Sequence, residues 1–268
     1  MIPRPASFLP AFAALLMLAA QPAAPQETTA EALARRGAWD LAILSERLGK
    51  LHAQAGQGLL AERARRGLAE GSRQFDALLR STAAAASGET RERYLLLGLL
   101  WQDYRAWLAR PATRENARRL AERTEELAWV AGQAARAWTA RSARAVSAAQ
   151  AAQASVLAQR VARLQLLRRW DVRDDAATRE LAGASLQLRS SLASLRAGAG
   201  DDAEIAAELQ VAENQHVFLE RAVQDLAAKP ALAQPLEIVA KTGDNILESL
   251  QRVVRLYEAR ELSAAPAR

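Results

Sequence analysis

The chain has 268 residues, half of them hydrophobic but only 5% aromatic, and no cysteine. That length allows one large domain or two of ordinary size, and the lack of thiols excludes disulfides, thiol catalysis and zinc–thiolate sites. The net charge of +6 is carried by arginine, since Lys50, Lys229 and Lys241 are the only lysines, and 30 acids are interspersed with the bases. This is the pattern of solvated helix faces, not of a nucleic-acid-binding stripe.

Residues 1–24 read as a secretory signal peptide. Arg4 precedes an apolar run from Phe8 to Ala20, followed by small residues and prolines. The run is too short to cross a bilayer as a mature helix. Cleavage is expected between Ala20 and Ala24, and the mature protein is expected to be exported to the periplasm. No nucleic acid is expected as a partner there.

After Thr28 the sequence is all-α in character: apolar residues recur at spacings of three and four, and strand-like alternation is not sustained. Helices are predicted over 28–55, which ends near Gly56 and Gly58, over 59–83, and over 90–109, which stops before Pro111. Thr113 is a plausible N-cap for the next helix. From there to Arg169 only Gly132 interrupts strong helix formers, so one continuous helix of roughly 85 Å is predicted. The polar run Asp171–Asp175 ends it. Helices follow over 176–197, over 203–228 with Asp202 as cap, and over 236–262 after a linker containing Pro230 and Pro235.

The order of phrases repeats. Leu44-Ser-Glu-Arg-Leu-Gly-Lys-Leu51 is echoed 113 residues later by Leu157-Ala-Gln-Arg-Val-Ala-Arg-Leu164, so that Arg47 matches Arg160 and Lys50 matches Arg163. Phe75–Ser81 parallels Ser191–Ala197, Leu99–Leu108 parallels Asn214–Val223, and Thr124–Trp138 parallels Gly243–Tyr257. Four amphipathic helices with short connections make an antiparallel bundle. The predicted architecture is therefore two tandem antiparallel four-helix bundles, over 28–140 and 141–262, sharing a long central helix, with a single folded-back bundle as the structural alternative. Residues 263–268 are expected to form a disordered tail.

The second copy also resembles a known family. Its run "LAQRVARLQLLRRW", then "LQLRSSLASLRAG", "EIAAELQVAENQHVFLERAVQD" and "IVAKTGDNILESLQRVVRLYE", is similar in order to the periplasmic sensor domain of type IV pilus methyl-accepting chemotaxis transducers (PilJ-type). That domain is related to the NarX-type nitrate/nitrite sensor domain. The resemblance covers residues 150–259 best and implies a sensor-like helical bundle. It also implies a small anionic ligand, an envelope or membrane receptor as partner, and a dimeric state. The family's first-helix motif, Gly-Arg-Gln-Arg-Met-Leu-Ser-Gln-Arg, falls on Ala152–Arg160. Only Leu157, Gln159 and Arg160 match it, and the anion-binding arginine falls on Ser155, or on Ala42 in the first copy. A guanidinium suits a planar oxyanion, so its replacement argues against nitrate binding by the family's route.

The candidate ligand-binding residues are thus Ser155, Gln159, Arg160 and Arg47. For the two arginines the alternative is snorkelling from the edge of the apolar stripe formed by Leu157, Val161, Leu164 and Leu167. His216 stands where the first copy has Trp101, which suggests a packed interior position. Glu213 gives it a Glu-x-x-His spacing, but no second such motif exists, and neither a metal nor another cofactor is expected. The tryptophans are expected in the core or at its rim, with Trp107 and Trp129 packed together. No Gly-rich phosphate loop, serine nucleophile in a strand-turn-helix context or carboxylate pair with a histidine base supports catalysis. The function predicted is a soluble, non-catalytic, sensor-like binding protein, or alternatively an envelope scaffold that has lost its ligand site.

Overall fold

A computed structural model of the chain describes residues 28–172, 174–228 and 234–263. The expected signal peptide, most of the Pro-containing linker and the tail beyond Ser263 lie outside the described residues. The described chain is all-helical: α1 (Thr29–Gly56), α2 (Ala61–Ala85), α3 (Gly88–Leu108), α4 (Arg114–Thr139), α5 (Val146–Arg169), α6 (Asp174–Gly198), α7 (Ala203–Ala228) and α8 (Gln234–Ser263), with a 3₁₀ turn at Ala143–Ala145.

Local chemistry sets several of these boundaries. Thr28 and Glu31 form a reciprocal capping box at the start of α1. Thr113 accepts from the Asn116 amide at 3.2 Å, and Asp202 accepts from the Ile205 amide at 3.1 Å, as the sequence predicts. Gly58 and Leu60 adopt positive φ (71° and 49°) in the turn that reverses the chain between α1 and α2.

The continuous helix predicted from Thr113 to Arg169 does not form. Helix α4 stops at Thr139, the Arg141 and Ser142 amides close turns onto Trp138 and Thr139, and Ser142 is extended. The chain then folds back. Trp39 Nε1 on α1 donates to Thr139 Oγ1 near the end of α4, and the same indole borders Ala148 and Ala149 near the start of α5. At the other end of α1, Gly49 meets both Thr124 of α4 and Arg163 of α5. Both helices therefore lie on α1, antiparallel to each other. Propensity alone favoured one long rod, but such a rod would leave the alanine-rich face of α5 in water. Folding back buries Ala149 and Ala152 in the core of α1–α4, while Ala151, Ala154 and Ala158 on the same helix are covered by α6–α8.

Helix α1 packs on α2, α4 and α5, and α5 packs on α6, α8 and α1. Helices α3 and α7 lie mainly on α4 and α8. Helices α1 and α5 run side by side in the same direction: Glu46 pairs with Arg163, and the Gln57 side chain donates to the Leu166 carbonyl. One apolar core forms within α1–α4, centred on Leu41, Leu48, Phe75, Leu97, Tyr104 and Leu127, with Ala149 and Ala152 of α5 joining it. A second forms within α5–α8, around Leu164, Leu188, Leu209, Ile246 and Leu250. A small third cluster joins Ala53, Leu59 and Ala121 to Leu166, Leu167 and Val172.

Candidate functional site

The residues singled out from the sequence separate into different environments. Ser155 is fully buried and returns its hydroxyl to the Ala151 carbonyl at 3.0 Å. Gln159 is fully buried and donates to the Gly243 carbonyl of α8 at 2.8 Å. Arg47 lies 3.9 Å from Asp244, beside that contact, whereas Arg160 turns away toward Glu180 of α6, also at 3.9 Å. The α1–α5–α8 junction thus gathers Arg47 and Gln159, with Ser155 one turn along α5, and leaves Arg160 elsewhere. His216 is buried on α7, as its exchange with Trp101 suggests, and burial lowers its pKa. Trp107 and Trp129 do not form the expected pair. Trp129 is 62% exposed, and the Trp107 ring is flanked by the guanidiniums of Arg110 and Arg123.

Sequence reasoning missed a buried ionic layer at this junction. Lys50 Nζ meets Asp244 at 2.5 Å, and Arg163 Nε meets Glu46 at 2.6 Å, with Lys50, Arg163 and Glu46 all at most 1% exposed. Burial lowers the Lys50 pKa against the pull of Asp244. For Arg163 the opposing effect of Glu46 outweighs burial and keeps the guanidinium charged. The signal was present in the repeat: Lys50 and Arg163 are equivalent basic residues, and Asp244 and Glu125 are equivalent acids, with Glu125 also acting on Arg163. Arg163 Nη1 and Nη2 and His52 Nε2 meet no hydrogen-bond partner among the described residues. The gap they share with Thr124 and Gly49 has no room for a water-sized sphere. An anion there would need the helices to part, so the layer is packed structure.

The open site lies toward the other end of the same junction. A cleft of about 210 Å³ opens between α1, α5 and α8. Its floor is Trp39, Ile43, Ala148, Ala149, Ala152 and Val254. The internal repeat explains the space. At the offset of 113 residues, Ala148, Ala149 and Ala152 of α5 stand where α1 has Arg35, Arg36 and Trp39. Three small residues replace three large ones, and the missing volume is the cleft. Trp39 holds its orientation through its bond to Thr139, which leaves the ring available as a wall.

The rim is charged. Arg36 pairs with Glu258, and Arg35, just inside, pairs with Glu261 at 3.1 Å. One acid and one base remain. Asp40 faces the cleft without a hydrogen bond or ion pair among the described residues, and burial pushes its carboxyl up to about 6 despite Arg36. Arg255 stands exposed at the mouth, also without an ion pair among the described residues. No group of three or more potential metal ligands occurs among the described residues. The cleft can therefore bind and orient a small amphipathic molecule, and it presents no nucleophile–base pair.

The fold and cleft define an all-helical protein with one half-apolar, half-ionic recess between its two sets of helices. Comparison with known protein families, characterised proteins and solved structures gives no match.

Proposed function

We propose that this chain is an exported, non-catalytic binding protein that takes a small amphipathic ligand in the α1–α5–α8 cleft. The observation that carries this reading is the cleft itself: an aromatic wall and alanine floor beside an acid and a base that form no ion pair among the described residues. Such a recess, mostly apolar with a few convergent polar groups, is the usual form of a small-molecule site.

In this reading the chain is two tandem four-helix bundles produced by internal repetition, with a sensor-like design of the PilJ type. The matched phrase order and the equivalent positions of α1 and α5 support it. No helix of the described residues is long and apolar enough to cross a membrane, and signalling would then pass through a receptor protein in the envelope. A scaffold role is the second reading. It is favoured by the exposed Leu95, Leu96 and Leu99 on α3 and by Trp129 on α4, which are large apolar groups left in water.

Thermal unfolding of the purified mature protein against a library of small amphiphiles tests the first reading. A ligand at a hundred times its Kd adds about 2.7 kcal/mol to stability. The shift should vanish in Ala149→Leu, which fills the cleft floor. An unresponsive protein that instead retains a specific envelope partner through its α3 face would support the scaffold.

A further inference from the structure

Helices α1 and α8 meet in antiparallel register as a ladder of ionic rungs. Arg35 faces Glu261, Arg36 faces Glu258, and further along Lys50 faces Asp244. Asp40 lies one turn beyond Arg36 on α1, and Arg255 lies nearly one turn before Glu258 on α8. They are the next rung, with charges of the right sign, yet they do not close into an ion pair. The cleft, whose space comes from the small side chains of α5, lies at that level.

Resting on the binding reading above, we propose that the ligand is a free α-amino acid with an apolar side chain, which completes the open rung. Its ammonium meets Asp40, its carboxylate meets Arg255, and its side chain lies on Trp39, Ile43 and the alanines of α5. A single cation would satisfy Asp40 but leave Arg255 idle, and a single anion would leave a half-buried carboxylate without a partner. A zwitterion matches both, and it adds no net charge to a recess whose other charges are already balanced. The groups facing Asp40 support the assignment. Arg36 on the same helix is held by Glu258, Arg255 lines the cleft from α8, and α5 contributes only alanines to its lining. Since an uncompensated carboxylate at this depth takes up a proton near pH 6, ammonium binding should release that proton, and affinity should fall about tenfold per unit below that pH.

The test uses the full mature chain labelled with 5-fluorotryptophan, because Trp39 is the one tryptophan bordering the cleft. Its ¹⁹F resonance, assigned with Trp39→Phe, reports occupancy. L-Leucine should move that resonance saturably at millimolar or lower concentration. Isoamylamine and 4-methylvalerate, which each carry one of leucine's two charges, should bind at least tenfold more weakly. Asp40→Asn and Arg255→Gln should each weaken leucine at least tenfold. If isoamylamine binds as well as leucine, or if leucine ignores Asp40→Asn, the zwitterion assignment is overturned. If leucine at 10 mM leaves the resonance unmoved while another library compound moves it, the ligand class is wrong and the cleft reading stands. If no compound moves it, both fall. If the Asp40–Arg255 rung closes directly in solution, leucine will not compete, and the proposal is likewise overturned.

Discussion

At the scale of single residues the dominant feature is charge held out of water. Glu46 and Arg163 are together almost fully buried. Moving such a pair from water costs several kcal/mol per ion, which the mutual attraction only partly returns. Breaking the pair is therefore worse than never having it. Glu46→Ala should lower stability by roughly 3–5 kcal/mol, measured by urea unfolding, because Arg163, with two guanidinium nitrogens already unpartnered, would lose its hydrogen-bonded carboxylate and keep only the through-space pull of Glu125. The double variant Glu46→Met with Arg163→Met should recover most of that loss. If the single variant is nearly neutral, the layer is wetter than its packing implies. Asp40 works in the opposite sense. Its folded-state pKa is pushed up to about 6 from an ordinary value of 3.8, so the folded chain holds this proton more tightly than the unfolded one. Its contribution to stability is fully present below about pH 4 and is lost as pH rises through about 6. The ionised carboxylate then costs at most about 3 kcal/mol. Asp40→Asn should be more stable than the parent at pH 8, with the difference shrinking to nothing by pH 3.5. Parallel thermal melts across that range would show it, and a constant offset at every pH would refute it.

At the scale of elements, the helices were legible in the sequence because period, caps and glycines agree. Apolar spacing gave six of the eight helices as separate segments and ran α4 and α5 together, Thr113 and Asp202 gave two starts, and Gly56 gave one stop. The break after Thr139 was not legible. No proline or glycine marks it, and Arg141-Ser-Ala-Arg144 has ordinary helix propensity. What ends α4 is burial of the following alanines against α1, a tertiary effect that local reading does not see. The candidate site was missed for a related reason. Ala148, Ala149 and Ala152 look like helix filler, and only their position opposite Trp39 makes them a floor. Glycines separate the two kinds of information cleanly. A Cβ on Gly56 would lie 2.0 Å from the Trp170 ring and 2.6 Å from the Ala112 carbonyl, where backbone must move. Gly98, inside α3, has open space around the same atom. Gly56→Ala should destabilise by about 1–3 kcal/mol through overpacking. Gly98→Ala should stabilise by roughly 0.5–1 kcal/mol through helix propensity. Chemical denaturation of both variants checks the contrast, and equal effects would mean that Trp170 does not seat on the end of α1.

For the whole molecule, the question is whether the two helical sets behave as one body. Each has its own apolar core, which argues for independence, and the connection between them is only the short stretch from Ala140 to Ala145. Three features argue against it. Helices α1 and α5 lie in contact along their length, with Ala149 and Ala152 of α5 belonging to the first core. The third cluster draws from both sets. Both buried ion pairs, Lys50 with Asp244 and Arg163 with Glu46, cross from one set to the other, as do the outer pairs Arg35–Glu261 and Arg36–Glu258. Separating the sets would expose the apolar surface that α1 and α5 and the third cluster share, and would leave each buried charge to find water in place of its partner. The cleft has the same dependence, since its walls come from α1 on one side and α5 and α8 on the other. A protease site inserted at the Arg141–Ser142 turn and then cut should therefore leave two chains that co-elute at the size of the intact protein. They should melt in one transition, because neither set can unfold without exposing the apolar surface that it shares with the other. Trp39 should still report cleft ligands after the cut. Should the halves elute separately and melt independently, the surface they share contributes too little to hold them, and the cleft could exist only because the short turn tethers its walls.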